Sequence, residues 1–275
     1  MVELLGAGEI RKLCHELEIR PTKKLGQNFV IDPNTIRRIV SAAKLEPSDR
    51  VVEIGPGLGS LTLGLMEAVD EITAVEFDPK LARQLPNTIL TRSNGRSISL
   101  IEADAMKVTD LGVNPDALVA NLPYNISVPV LLHFLSQFPS LKKGLVLVQS
   151  EVADRLIAKP GSKIYGSPSV KLAWYAKASS AGTVGRSIFW PVPNVDSSLV
   201  YFEKRKEPFP LELRSAVFEV VDAAFAQRRK TLRQALAGWA GSAVEAEKAL
   251  VAAGISPQAR GEDLMVEDFL RLVSK

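Results

Sequence analysis

Short apolar runs alternate with stretches whose apolar residues recur every three or four positions through most of the chain. The runs at 50–54, 72–76, 97–102, 117–120 and 144–149 each have the length of one strand. Near-continuous apolar character is what a strand buried on both faces requires. Helical patterns precede and separate them, and that alternation predicts an α/β fold, an open parallel sheet covered by helices on both faces. Two further apolar stretches, 170–179 and 198–203, have no clear helix between them and are expected to pair as an antiparallel ribbon at the sheet edge. Residues 117–141 carry no formal charge and are long enough to cross a bilayer. Asn121, Pro123, Tyr124, Asn125, Pro129 and Gln137 interrupt them, so a buried strand, a polar loop and a helix starting near Ser127 or Pro129 are expected instead.

The texture changes at residues 204–210, a charged stretch with two prolines, and only helical patterns follow it. Val217, Val220, Val221, Ala224, Phe225, Leu232 and Leu236 fall at the spacing of one buried helical face. Two domains are therefore expected, residues 1–204 with the sheet and residues 205–275 as a small all-helical unit. A chain of 275 residues, 46% hydrophobic and 24% charged, suits this size and excludes a disordered or low-complexity protein.

Lys and Arg total 34 against 31 Asp and Glu, a net +3 that by itself names no polyanionic partner. The sum conceals its distribution: residues 204–239 carry eight basic and four acidic side chains. Cys14 is the only cysteine, which rules out an intrachain disulfide and a cysteine-based metal site and suggests a reducing compartment. His15 and His133 stand apart with no metal-ligand spacing, so no metal is expected. Glu3 and Glu9 flank a weakly apolar start unlike a secretory signal, and the expected location is cytoplasmic.

The richest stretch is Val51-Val52-Glu53-Ile54-Gly55-Pro56-Gly57-Leu58-Gly59-Ser60, a buried strand running into alternate glycines and then a helix. A dinucleotide fingerprint needs Gly or Ala where Ser60 stands, and a phosphate loop needs Gly-Lys-Ser/Thr, which is absent. A pyrophosphate ligand is disfavoured. Glu76 closes the next strand, where a carboxylate can accept both ribose hydroxyls, and Asp104 closes the third, where it can accept from an adenine amine. A nucleoside without phosphates, joined to a sulfonium and an amino acid, fits this set: S-adenosylmethionine.

Asn121-Leu122-Pro123-Tyr124 follows the fourth strand and should lie beside the transferable methyl group. An exocyclic adenine amine is a poor nucleophile because its lone pair is delocalised into the ring. The Asn121 side-chain oxygen and the Leu122 carbonyl can accept its hydrogens and direct that lone pair, while Tyr124 offers a face for an extruded base. No strong general base is required.

These motifs, together with Lys24-Leu25-Gly26-Gln27-Asn28-Phe29-Val30, Phe189-Trp190-Pro191-Val192-Pro193-Asn194-Val195-Asp196-Ser197 and Phe225-Ala226-Gln227-Arg228-Arg229-Lys230-Thr231-Leu232-Arg233, resemble the KsgA-type rRNA adenine dimethyltransferases. The resemblance runs from about Arg20 to the C-terminus. It implies a Rossmann-like class I S-adenosylmethionine-dependent methyltransferase domain with a small helical C-terminal domain. It also implies dimethylation at N6 of two adjacent adenosines in the 3′-terminal hairpin loop of 16S rRNA, in the small (30S) ribosomal subunit or its precursor, as part of subunit biogenesis. A monomer is expected.

By position, Asn28, Val30, Gly55, Gly57, Glu76, Asp104 and Asn121 resemble the cofactor contacts. Asn121, Leu122 and Tyr124 resemble the target-amine site, with Phe189 a second stacking ring; without the family, Phe189 reads as a core aromatic. Lys23, Lys24, Arg228, Arg229, Lys230 and Arg233 resemble rRNA contacts, and the last four also read as a solvated helix face. Val30 stands where leucine is usual and Trp190 where a small residue is common. The nearest rival is the Erm type, which shares the fold and methylates large-subunit rRNA; Asp196 and the basic run favour the KsgA type. An RNA-binding assembly factor and a small-molecule methyltransferase are further alternatives.

Overall fold

A computed structural model describes residues 2–19 and 28–274 of the chain. The chain divides into two compact units. One holds residues 1–153 and 179–203, the other residues 154–178 and 204–275.

The first unit opens with α1 (Ala7–Glu16), the two-residue strand β1 (Phe29–Val30) and α2 (Pro33–Ala42). Then strands and helices alternate: β2 (Arg50–Ile54), α3 (Ser60–Leu65), β3 (Glu71–Glu76), α4 (Pro79–Arg92), β4 (Ser99–Glu102), β5 (Ala117–Asn121), α5 (Ser127–Gln137), β6 (Lys143–Gln149) and α6 (Ser150–Ile157). After α7 (Ser167–Tyr175) come β7 (Ala176–Val184), β8 (Phe189–Trp190) and β9 (Ser197–Lys204).

Seven strands form one sheet in the order β4-β3-β2-β5-β6-β9-β7. β2 pairs in parallel with β3 and β5, β3 with β4, and β5 with β6, whereas β9 runs antiparallel to β6. Val51, Ala74, Ala117, Val119, Leu145, Leu147 and Leu199 belong to one continuous core with residues of α1 to α4. The intervening Val52, Ile54, Val75, Leu118, Ala120, Val146 and Val200 are buried too. Burial on both faces accounts for the near-continuous apolar runs.

Order along the chain and order across the sheet part company at one place. From β2 the chain builds outward through β3 and β4, then returns to lay β5 on the other side of β2. A crevice opens outside the carboxyl ends of two strands whose continuations diverge. The loops that fill it are therefore 55–59 after β2 and 122–126 after β5. Both flanking helix starts are encoded locally: Asp32 caps α2 by accepting from Thr35 N–H at 2.9 Å, with Pro33 next to it, and Asp78 caps α4 by accepting from Lys80 N–H at 2.9 Å, ahead of Pro79.

The ribbon expected from 170–179 and 198–203 is partly revised. β9 does lie in the sheet between β6 and β7, but Val170 to Tyr175 belong to α7, and the strand starts at Ala176. Gly166, Ser167 and Pro168 set up a helix start, with Gly166 N–H donating to Ser169 Oγ at 3.1 Å. β7 itself is mostly polar and exposed, so it has no apolar alternation to read. The β1–β8 pair was not expected at all; two residues are too few for any period.

The second unit adds α8 (Arg214–Ala226), α9 (Leu232–Ala235), α10 (Ala237–Ala240), α11 (Ala243–Ala252) and α12 (Val266–Val273) to α7. Its interior is aromatic: Trp174 packs on Phe209 and Phe218, and Phe225 on Tyr165 and Phe269. The boundary was expected at 204/205; this unit begins its second stretch at Lys204 and also takes in residues 154–178. That segment is held by long-range contacts, Tyr165 Oη to Leu264 O at 2.9 Å and Lys171 Nζ to Asp222 at 2.7 Å, which no local pattern reveals.

Candidate functional site

The crevice at the switch point is a cavity of about 350 Å³, within the range of small-molecule sites. Asn28, Val30, Gly55, Gly57, Glu76, Asp104 and Asn121 all line it, so the structure gathers seven candidate residues from five separate segments. Leu122, Tyr124 and Phe189 are not in its wall.

Gly57 turns the loop with φ +61° and donates its N–H to Glu76 Oε2 at 3.0 Å. A Cβ at this position would stand 2.9 Å from Phe29 Cε1, so only glycine lets the loop approach β1 so closely. Glu76 Oε1 accepts from Asp78 N–H at 2.9 Å. These two amides orient the carboxylate and oppose the effect of burial, which pushes it above the ordinary range. Asp104 caps the turn Ala105–Lys107 by accepting from Met106 N–H at 3.0 Å. Phe77 is 61% exposed and Met106 36% exposed, and both line the cavity as apolar surfaces beside the two acids.

Glu53, not among the candidate residues, also lines the wall. It is 1% exposed, and its Oε2 finds no hydrogen-bond partner. Burial pushes its carboxyl up to about 8; the nearby Thr62 hydroxyl opposes the shift and the charge of Glu76 adds to it. An acid inside an otherwise apolar strand was the available signal. Among the described residues the wall holds Glu53, Glu76, Asp78 and Asp104 and no Lys, Arg or His. An all-acidic lining suits a cationic nucleoside and repels a polyphosphate, as the glycine-loop comparison anticipated.

Asn121 ends β5, and its Nδ2 donates to Asn28 O at 2.9 Å. That bond fixes the amide plane and leaves Oδ1 as the accepting end. Leu122 is buried, with its N–H donating to Leu147 O at 3.1 Å. The Tyr124 hydroxyl is 2.8 Å from Ser197 Oγ, so the ring is half-buried and tied to the start of β9. Phe189 is 0% exposed and sits in the core, paired through β8 with Val30 of β1. Its burial matches the packing reading rather than a presented stacking face. The pairing also explains why Asn28 reaches Asn121: the β8 segment holds β1 against it.

In the second unit Arg229 and Lys230 are exposed and have no ion pair among the described residues. Arg228 Nε donates to Glu262 Oε2 at 3.1 Å, and Arg233 Nε to Glu247 Oε2 at 2.6 Å. Lys23 and Lys24 lie outside the described residues. Among the described residues no helix is long and apolar enough to cross a membrane, and no group of three or more His, Cys, Asp or Glu could hold a metal ion.

A family model described as ribosomal RNA adenine dimethylase matches residues 19–275. The chain belongs to that family. It is an S-adenosylmethionine-dependent rRNA adenine dimethyltransferase. Among its curated relatives are ribosomal RNA small subunit methyltransferase A of Streptomyces coelicolor, 61% identical over 98% of this chain and 96% of the relative, and that of Streptomyces griseus, 62% identical over 97% and 93%. The fold is similar to the crystal structure of a dimethyladenosine transferase from Plasmodium falciparum, with TM-score 0.72 and 24% identity over 88% of this chain and 94% of that one. It is also similar to the 23S rRNA methyltransferase ErmE, with TM-score 0.66 and 26% identity over 89% and 98%. The fold is thus common to the KsgA and Erm types, and the much higher identity lies with the small-subunit relatives.

Proposed function

We propose that this chain acts on the small ribosomal subunit or its precursor in the cytoplasm, dimethylating N6 of two adjacent adenosines in the 3′-terminal hairpin loop of 16S rRNA. The identity of about 60% to small-subunit methyltransferases along nearly the whole chain supports this target over the Erm target. S-adenosylmethionine, when bound, supplies an electrophilic methyl group. Glu76 would accept from its ribose hydroxyls and Asp104 from its adenine amine, and Phe77 and Met106 would offer apolar surfaces to the purine. Asn28, Val30, Gly55 and Gly57 provide close backbone, and Glu53 faces the amino-acid end.

The observation that carries the mechanism is the tethered Asn121 amide. With Nδ2 committed to Asn28 O, Oδ1 accepts one hydrogen of the target amine, and the Leu122 carbonyl accepts the other. Two such acceptors would draw the nitrogen out of conjugation and free its lone pair for the methyl group that the cofactor would supply. Tyr124 offers a ring to the extruded base, while Phe189 acts through β8 by holding Val30 and Asn28 in place. No side chain takes the proton, which passes to water once the amine carries positive charge. Arg229 and Lys230 meet rRNA phosphates.

Mass analysis of 3′-terminal 16S rRNA fragments after incubation of unmethylated small subunits with protein and cofactor tests the target. Two neighbouring dimethylated adenosines are expected, with no transfer to large subunits. Asn121→Ala should abolish transfer and retain particle binding; undiminished transfer would refute the site.

A further inference from the structure

Two turns of the second unit are bound to each other through one residue pair. The turn at 159–165 is closed by Ser162 N–H to Lys159 O and by Tyr165 N–H to Ser162 O, both at 3.2 Å. The turn at 227–230 is closed by Lys230 N–H to Gln227 O at 2.8 Å. Glu262 joins them: its carbonyl accepts from Gly161 N–H at 2.7 Å, and its carboxylate accepts from Arg228 Nε at 3.1 Å. The Arg228 guanidinium also donates to Lys163 O in the first turn. Tyr165, its hydroxyl on Leu264 O and its ring against Phe225, anchors the same turn from below.

The consequence is electrostatic. Arg228 already has an anionic partner, and a phosphate approaching it would meet the Glu262 carboxylate as well. Lys159, Lys163, Arg229 and Lys230 are exposed, have no ion pair among the described residues, and are carried on two turns joined through Arg228 and Glu262. Lysines on a fixed turn lose less freedom on meeting a phosphate than lysines on a free loop.

We propose that the rRNA-contacting surface of this unit is a two-turn platform in which Lys159 and Lys163 meet phosphates alongside Arg229 and Lys230, and Arg228 is a positioning residue that holds the turns together. The proposal rests on the reading of the chain as a small-subunit rRNA methyltransferase. It adds two residues distant in sequence from the basic run and withdraws Arg228 from direct contact.

Each phosphate contact contributes about 0.7–0.9 to the slope of log affinity against log salt. Binding of the full chain to unmethylated small subunits is measured from about 50 to 200 mM KCl, a range over which such slopes are resolved. The variant Lys159→Ala/Lys163→Ala should show a slope shallower by about 1.4–1.8, so that its affinity and the wild type's converge by roughly tenfold across that range. Adding Arg228→Gln to this variant should leave the slope unchanged. A wild-type slope for the double lysine variant overturns the platform, and a further drop of about 0.7–0.9 on adding Arg228→Gln overturns the positioning role. Both lysines are exposed, so the double variant carries the test even if Arg228→Gln unfolds. If the wild-type chain neither binds nor methylates small subunits, the functional reading itself fails. Normal methylation by the wild type with an unaltered lysine-variant slope sinks the platform alone.

Discussion

Glu53→Gln should stabilise the cofactor-free protein, and by an amount that grows with pH. The Glu53 carboxyl is fully enclosed, its Oε2 unpartnered, and burial raises it from its ordinary value of 4.5 to about 8. Between those two values the unfolded chain has released this proton and the folded chain retains it. The folded state then binds more protons than the unfolded state, so stability falls as pH rises, by about 1.4 kcal/mol per pH unit for one group. Across the span from 4.5 to 7 the loss amounts to about 3 kcal/mol, and above 8 it levels off near 5 kcal/mol, both as orders of magnitude. Glutamine has the shape of the protonated acid and no charge, so the variant lacks this loss. Urea unfolding of both proteins at pH 5, 6, 7 and 8 reads the difference, because the titrations of groups away from Glu53 and Glu76 cancel. The two stability curves should diverge from near coincidence at pH 5. Parallel curves with a constant offset would refute the reasoning, since they would mean that Glu53 titrates alike in the folded and unfolded chains.

Gly57→Ala places a Cβ at 2.9 Å from the Phe29 ring and asks an alanine to hold φ +61°. A stability loss of about 1–2 kcal/mol from the backbone alone is expected, with cofactor affinity weakened roughly tenfold or more in titration calorimetry. Unaltered affinity would separate the loop from the cofactor. Asp116 is held well below the usual carboxylate range by its hydrogen bond to Arg50 and by Lys142, against the effect of burial. Its stabilisation is present above the ordinary value of 3.8 and is lost as pH falls through the depressed one. Asp116→Asn should therefore cost about 1–3 kcal/mol at pH 7, with the deficit shrinking in acid when unfolding is followed against pH. Tyr124→Phe keeps the ring and loses only the bond to Ser197, so single-turnover methylation should persist with about 1 kcal/mol less stability, whereas Tyr124→Ala should lose methylation. Equal inactivity of the two would assign the role to the hydroxyl.

The candidate residues that reach the cavity wall were legible in advance because most of them sit at the ends of strands that announce themselves. Glu76 is the last residue of β3, Asn121 the last of β5, and the glycine loop follows β2 directly. In a parallel sheet the carboxyl ends share one edge, so linear position translates into spatial convergence. The acid Glu53 stands out between apolar Val52 and Ile54, but its burial without a partner is a property of the packed interior that the strand pattern does not carry. The basic run illustrates the converse. Four cations within six positions look equivalent along the chain, yet Arg228 and Arg233 are in ion pairs with Glu262 and Glu247, 34 and 14 residues away, while Arg229 and Lys230 have none among the described residues.

The sequence by itself determined the sheet, the order of its parallel strands along the chain, the glycine turn and the acids that follow it. Each depends on the period of apolar positions or on backbone conformations encoded within a few residues. Tertiary structure alone decided that Asn121 turns its amide nitrogen toward Asn28, that Tyr124 is tied to Ser197, and that residues 154–178 join the helical unit. These outcomes depend on partners dozens of residues apart, whose approach is set by chain closure and burial and leaves no local trace.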